Sequence, residues 1–231
     1  MDELATLARP APTAQRPLLG LTVLLVEDSR FASEAVRLLC MASGARIRRA
    51  DCIASADRHL GTYAPGVAIV DLGLPDGPGT DLIARLHASP NRPDVILATS
   101  GVDRHAAEAD ALAAGADGFL PKPIDSLAAF QQAILSRLPA SRRPMGLRAV
   151  SNDTVTPDRL ALAEDYASAA RMLADEAVPT GFIAGFLRGL ARTGNDTGLL
   201  REIGSLKAPS AELRERLRSV VTARTLERRV I

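Results

Sequence analysis

Three carboxylates, a hydroxyl pair and a lysine each stand at the end of a short apolar run in this 231-residue chain. Glu27-Asp28 follow Leu21-Thr22-Val23-Leu24-Leu25-Val26, and Asp71 follows Val67-Ala68-Ile69-Val70. Thr99-Ser100 follow Val95-Ile96-Leu97-Ala98, and Lys122, flanked by Pro121 and Pro123, follows Gly118-Phe119-Leu120. Continuous apolar runs of this length read as strands buried on both faces of a parallel sheet, and ligand sites in such sheets gather at the carboxyl ends of the strands. The four segments therefore deliver their polar residues to one crevice. Carboxylates brought that close repel unless a cation neutralises them, and an all-oxygen set with room for water suits Mg²⁺. A carboxylate held on the metal opposite an ammonium can attack a phosphoryl group in line, with metal and lysine sharing the charge and a hydroxyl donating one hydrogen bond. Asp71, alone after its strand, is the candidate nucleophile, with Lys122 and Ser100 as its partners. Glu27, Asp28 and Asp71 are the candidate metal ligands, with the Gly73 carbonyl as a further one. Strand alternation does not aim both Thr99 and Ser100 at the site, and the step into Gly101 favours Ser100, so Thr99 is read as an ordinary strand residue.

The elements that must position these residues follow from periodicity and punctuation. Ser29 is a helix cap, followed by an apolar stripe of Phe31, Ala35, Leu38, Leu39 and Ala42 that ends at Gly44. The pattern then repeats: a short edge strand over Arg46–Ala50, a helix over Ile53–Leu60, a strand over Val67–Val70 and a helix over Thr80–Ala88. After these come Val95–Thr99, a helix from about Arg104 to Ala114, Gly118–Leu120 and a helix over Ser126–Arg137. Five β/α units in succession predict a doubly wound α/β domain with helices on both faces of an open parallel sheet. The proline-rich stretch Arg9–Pro17 reads as a flexible leader, which places the first domain at residues 18–138 after a leader of 1–17.

Composition narrows the function classes. The chain is 47% hydrophobic with a formal net charge of +1, enough for one sizeable core and a smaller second unit. No apolar run nears the roughly 20 residues of a membrane span and no signal core follows Met1-Asp2-Glu3, so a cytoplasmic protein is expected. Cys40 and Cys52 are too far apart for a CxxC motif and read as small buried hydrophobes. His59, His87 and His105 each stand apart from other ligand types and are assigned to surface or packing roles.

Taken together, the residues resemble the receiver domain of two-component response regulators. The match consists of the acidic pair Glu27 and Asp28, Asp71 with Pro75 and Gly79, the step Ser100-Gly101, and Lys122-Pro123. It covers roughly Leu18 to Leu138. The resemblance implies a flavodoxin-like sheet of strand order 2-1-3-4-5, phosphorylation of Asp71 by a sensor histidine kinase or phosphotransfer protein using Mg²⁺, and a cis Lys122-Pro123 bond. It also implies a switch in which an aromatic residue turns inward with the hydroxyl. Phe119 occupies that aromatic position beside Ser100, and without a phenolic hydroxyl its signal rests on burial. Such a chain catalyses only its own phosphorylation and dephosphorylation. Gly73 and Val102 next to the site offer no polar group to position water, so slow self-hydrolysis is expected.

Beyond Leu138 the composition changes. Residues 139–156 read as a polar linker that lets the flanking parts move. Residues 157–231 read as an all-α unit: a helix capped by Thr156-Pro157 with Leu160, Ala163, Tyr166, Ala167, Ala170 and Leu173 on one face, a second from Pro179, a short third after Asn195-Asp196-Thr197, and a fourth from Pro209-Ser210. Their apolar faces are too large for solitary helices, and a homodimer or downstream protein contact is the favoured output. This part has no histidine, which excludes an internal phosphotransfer group. Residues 139–231 carry a basic excess of four, and Arg214, Arg216, Arg218, Arg224, Arg228 and Arg229 raise DNA binding through a helix-turn-helix over Leu199–Val221 as the alternative. Gly204 inside the would-be first helix and Pro209 in the turn fit that motif poorly. A third alternative is a phosphoryl shuttle or sink.

Overall fold

The computed structural model describes residues 11–101, 104–145, 151–204 and 210–227. The strands are β1 (Thr22–Val26), β2 (Arg46–Ala50), β3 (Val67–Asp71), the two-residue β4 (Gly73–Leu74) and β5 (Gly77–Pro78), β6 (Val95–Ser100) and β7 (Gly118–Pro121). Five of them form a parallel sheet in the order β2-β1-β3-β6-β7, while β4 and β5 pair as a small antiparallel ribbon. With the ribbon set aside, this is the expected order 2-1-3-4-5. The intervening helices are α1 (Arg30–Ser43), α2 (Ile53–Leu60), α3 (Gly79–Ala88), α4 (Arg104–Ala113) and α5 (Leu127–Leu135).

Alternation along the strands divides the core in two. Val23, Leu25, Ile69 and Leu97 face α1 and α5, where Leu39, Phe130 and Ile134 meet them. Leu24, Val26, Val70 and Ala98 face α3 and α4, where Leu82, Ile83, Ala107 and Ala111 do. Each fully buried Leu, Ile or Phe side chain contributes about 1.5–3 kcal/mol, which offsets the entropy of ordering the sheet. Strand β2 pairs with β1 alone and is largely exposed, as its arginines require of an edge. Ser29 caps α1 by accepting from Ala32 N at 3.0 Å, and Gly44 ends it at φ 81°, a left-handed conformation that glycine adopts without strain.

Four more helices follow: α6 (Arg159–Ala174), α7 (Thr180–Thr193), α8 (Thr197–Gly204) and α9 (Ser210–Glu227). They share a core of Leu162, Tyr166, Leu173, Ile183, Leu187, Leu190, Leu199, Ile203, Leu217 and Val221, and Phe31 of α1 belongs to the same cluster. Arg214 of α9 clamps this core from one end. Its guanidinium donates to Leu173 O at 3.0 Å and Asp175 O at 3.1 Å, and also reaches Val178 O and Thr180 Oγ1.

Several local expectations are corrected. Helix α6 begins at Arg159, not after Thr156, because Asp158 accepts from Leu160 N at 3.0 Å and so supplies the cap. Its buried face is Leu162, Asp165, Tyr166, Ala169 and Leu173, and Leu160 is 64% exposed. The face is rotated because a buried carboxylate, Asp165, is drawn toward α1. Cys52 is half-buried and caps α2 through Sγ, which accepts from Ser55 N at 3.4 Å; Cys40 alone is a buried hydrophobe, its thiol pushed up to about 12 by burial. The linker flanks are tied down: Arg142 pairs with Asp94 at 2.6 Å, Leu127 N donates to Asp153 O, Val155 N donates to Asp125 O, and Val155 packs on the α1/α5 core. Of the proline-rich leader, the described end folds back, with Arg16 against Gly44 and Leu18 N donating to Ser43 O at 3.0 Å. Residues 1–10, linker residues 146–150, Val102, Pro209, Arg228 and Arg229 lie outside the described residues.

Replacing Arg214 by Met keeps its stem and removes five helix-end contacts, two of them at 3.0–3.1 Å. A loss of about 2 kcal/mol is expected from hydrogen bonds made by a charged donor, read as a lower urea midpoint with Mg²⁺ binding unchanged.

Candidate functional site

Strand ends β1, β3 and β7 and the cis Lys122-Pro123 peptide converge at one end of the sheet. Gly79 makes the approach of the β3 end possible. A methyl group on it would strike the Asp71 carbonyl and lie 2.9 Å from Leu72 Cα, and its N–H donates to Leu72 O at 3.0 Å. The β4–β5 ribbon that fills this loop was not anticipated. Asp76 at its tip accepts from Ile53 N and Ala54 N at 2.8 and 2.9 Å, which anchors the ribbon on the N-terminus of α2.

Lys122 is the centre of the charge arrangement. Its Nζ donates to Asp71 Oδ2 at 2.6 Å and lies 2.8 Å from Glu27 Oε2, with all three side chains nearly buried. Burial alone lowers a lysine, but the charges of Asp71 and Glu27 and their hydrogen bonds outweigh it and hold the ammonium above its ordinary range. Glu27 is pushed well up by burial, with the Asp71 and Asp28 charges adding to that and Lys122 opposing it. Asp28 rises to about 7, first from burial and then from the Asp71 charge, with Lys122 in opposition.

Carboxylate oxygens of Glu27, Asp28 and Asp71 lie within 4.8 Å of one another. Three oxygens from two strand ends, kept together at an electrostatic cost that only a cation removes, are the donor set a hard divalent ion needs. The Gly73 amide donates to Asp71 Oδ1 at 3.2 Å, and Gly73 lines the cavity above the carboxylates.

Two hydroxyls stand here. Ser100 is buried and lines the cavity, but the β3–β6 register places Thr99 opposite Asp71. Paired residues of neighbouring parallel strands point to the same face, so Thr99, with Oγ1 buried and without a hydrogen-bond partner, has the stronger geometric claim to the site. The neighbour Gly101 favours Ser100 in sequence, whereas register depends on β3 and is not a local property. Phe119 is buried with Ala98, Ala107 and Ala111 in the α3/α4 core. His59 Nε2 lies 3.1 Å from Arg49 O and its ring meets Tyr63 edge-on, His87 packs against Gly115, and His105 is exposed.

The position of the helical unit was not anticipated. Asp165 of α6 accepts from Ser29 Oγ at 2.7 Å, Arg30 N at 2.9 Å and Phe31 N at 3.0 Å, and so caps the first turn of α1 from outside. Helix α7 passes over the carboxylates, leaving a cavity of about 220 Å³ between Asp71 and Lys122 on one side and Gly181, Gly185 and Gly189 on the other. The one sequence signal was a carboxylate, Asp165, one residue before the core residue Tyr166.

Residues 23–134 match the family described as the response regulator receiver domain, and the match ends before the helical unit. The virulence transcriptional regulatory protein PhoP of Salmonella typhimurium is 33% identical over 117 residues, which cover 50% of this chain and 52% of that protein. The transcriptional regulatory protein PhoP of Escherichia coli K12 is 32% identical over 117 residues, with the same coverage. The chain thus spans about half the length of the curated relatives it matches. A response regulator structure from Chloroflexus aurantiacus is 28% identical with a TM-score of 0.43, covering 45% of this chain and 85% of that one. The receiver domain of a Pseudomonas aeruginosa sensor histidine kinase, solved with a magnesium ion in its active-site cleft, is 21% identical with a TM-score of 0.46, covering 51% and 96%.

The raised Asp28 gives the metal affinity a pH dependence. Below about pH 7 the metal must displace the Asp28 proton, so Mg²⁺ affinity rises with pH, by up to about tenfold per unit, toward pH 7. Because the folded chain holds this proton more tightly than the unfolded one, the metal-free protein loses stability as pH rises from about 4 through 7. Calorimetric Mg²⁺ titrations and metal-free melting curves across that window check both trends.

Proposed function

Since residues 23–134 belong to the response regulator receiver domain family, we propose that this chain is a two-component response regulator that accepts a phosphoryl group on Asp71. The donor is a phosphorylated histidine of a sensor kinase or phosphotransfer protein, and the output passes through the C-terminal helices to a second copy or another protein. The observation that carries this reading is the buried contact of Lys122 Nζ with Asp71 Oδ2 at 2.6 Å beside three carboxylates whose oxygens lie within 4.8 Å.

An Asp71 oxygen attacks phosphorus, a P–O bond forms as the donor P–N bond breaks, and the imidazole leaves with the electron pair. Lys122 already lies against Asp71 and neutralises charge on the transferred oxygens. Glu27 holds that ammonium from behind at 2.8 Å. Glu27, Asp28, Asp71 and the Gly73 carbonyl would hold Mg²⁺, which when bound offsets the charge of both carboxylate and phosphoryl group. Thr99 Oγ1 is assigned as the hydroxyl donor to the phosphoryl group, with Ser100 lining the cavity and Phe119 packing behind it as the switch residue. A cytoplasmic location belongs to the same reading; none of the described helices is long and apolar enough to cross a membrane.

The DNA-binding alternative loses much of its support among the described arginines. Arg214 clamps helix ends, Arg216 and Arg218 pair with Glu212 and Glu215, and Arg224 pairs with Asp196. A protein-binding output is therefore retained.

Intact-mass measurement after incubation with acetyl phosphate and Mg²⁺ tests the assignment. One phosphoryl group is expected on the wild type and none on Asp71→Asn; phosphate on another residue of that variant would refute it. Thr99→Ala is expected to lower beryllofluoride affinity roughly tenfold, the loss of one charge-assisted hydrogen bond, whereas Ser100→Ala changes it less than about threefold. The reverse order would return the role to Ser100.

A further inference from the structure

Helix α7 carries Gly181, Gly185 and Gly189 at intervals of four, so they share one face, and that face looks onto the phosphoacceptor cavity. A glycine inside a helix costs about 0.5–1 kcal/mol relative to alanine, and a side chain at none of these three would begin closer than ordinary contact to a neighbour, the nearest being Lys122 Nζ at 3.6 Å from position 189. Gly189 lies against Gly101, where a methyl group on Gly101 would come within 2.7 Å of Gly189 N. Gly181 and Gly185 have no atom within 4 Å of where a side chain would begin. What their missing side chains leave open is the space above Asp71 and Lys122. Phe182, Phe186 and Leu190 line the same cavity and wall it with apolar surface.

A second observation points to a ligand in this space. Thr99 Oγ1, in register beside Asp71 though not itself among the residues that line the cavity, is buried without a partner, and Asp71, which does line it, is only 6% exposed. The roof is held by the buried Asp165, which ties α6 to the first turn of α1, and by Phe31, which joins the core of the helical unit.

Resting on the phosphoacceptor reading above, we propose that α7 is the element that reads Asp71 phosphorylation: the phosphoryl group sits in a chamber shared by the sheet ends and the glycine face of this helix. Phosphorylation then reaches the helical unit by direct contact. The chamber has room for a phosphoryl group and a hydrated cation with the roof in place, whereas a histidine presented by a folded donor protein reaches Asp71 only when α7 moves aside. Undocking at Asp165 is thus coupled to transfer from a protein donor.

The test uses the full chain with Mg²⁺ and beryllofluoride as the phosphoryl probe, followed by fluorine NMR for affinity and amide hydrogen exchange for α7. In the wild type, the probe should bind and change exchange along α7. Gly185→Leu, which places a side chain in the chamber without cost to the helix, should weaken probe binding at least tenfold. Adding Asp165→Ala to that variant, which frees the roof, should restore affinity to within about threefold of wild type. Wild-type binding with α7 exchange unchanged, or equal affinity in Gly185→Leu with α7 still protected, would overturn the shared chamber while leaving the phosphoacceptor reading intact. Failure of the wild type to bind the probe at all would bring down both.

Discussion

A lysine ammonium between two carboxylates, all three nearly out of water, is the interaction around which the rest of the molecule is arranged. Asp71 and Glu27 hold the Lys122 ammonium charged against its burial, and Lys122 in turn opposes the uptake of a proton by Glu27. Removing one member leaves an unpaired buried charge, at a cost of about 3–5 kcal/mol. The triad therefore requires that β1, β3 and β7 end at the same level, which only a fixed register gives. It also requires the Asp71 backbone to come close to Gly79, so a constraint of charge becomes one of residue size. Asp28 stands at the less buried edge of the cluster, where proton and cation compete for the same carboxylate.

The helical unit depends on the same end of the sheet. Its apolar faces meet one another, as four amphipathic helices must, but α6 is oriented by a polar contact. Asp165 satisfies two backbone amides in the first turn of α1 together with the Ser29 hydroxyl, at the positive end of that helix's dipole. Helix α1 follows directly on Glu27 and Asp28. The element that starts beside the metal ligands is thus also the element that seats the second unit, and α7 crosses the cavity as a result.

Legibility followed the range of the interaction. The five β/α units, the Ser29 and Gly44 ends of α1, and the carboxylate and lysine positions are written in local apolar runs and punctuation, and the strand order came with the family resemblance. The claim of Thr99 to the hydroxyl role rests on a neighbouring strand 28 positions earlier in the chain, Asp71 to Thr99, which no local pattern carries. The start and buried face of α6 were misread because Thr156-Pro157 and Leu160 fit a local rule that a long-range contact from Asp165 overrides. The ribbon after Asp71 escaped notice because two-residue strands have no period to detect. The glycines of α7 carry no signal in sequence alone, and only the cavity beneath them gives their spacing a reason.

The backbone contact between Gly101 and Gly189 bears on how freely such units can be exchanged between proteins. Nothing in the sheet or its chemistry distinguishes alanine from glycine at the step after Ser100. A methyl group at position 101 would nonetheless press on the α7 backbone, which has no side chain to move away. This helical unit is therefore fitted to a receiver of its own kind, and a transplant onto a sheet carrying alanine at that step would join two intact folds that no longer meet.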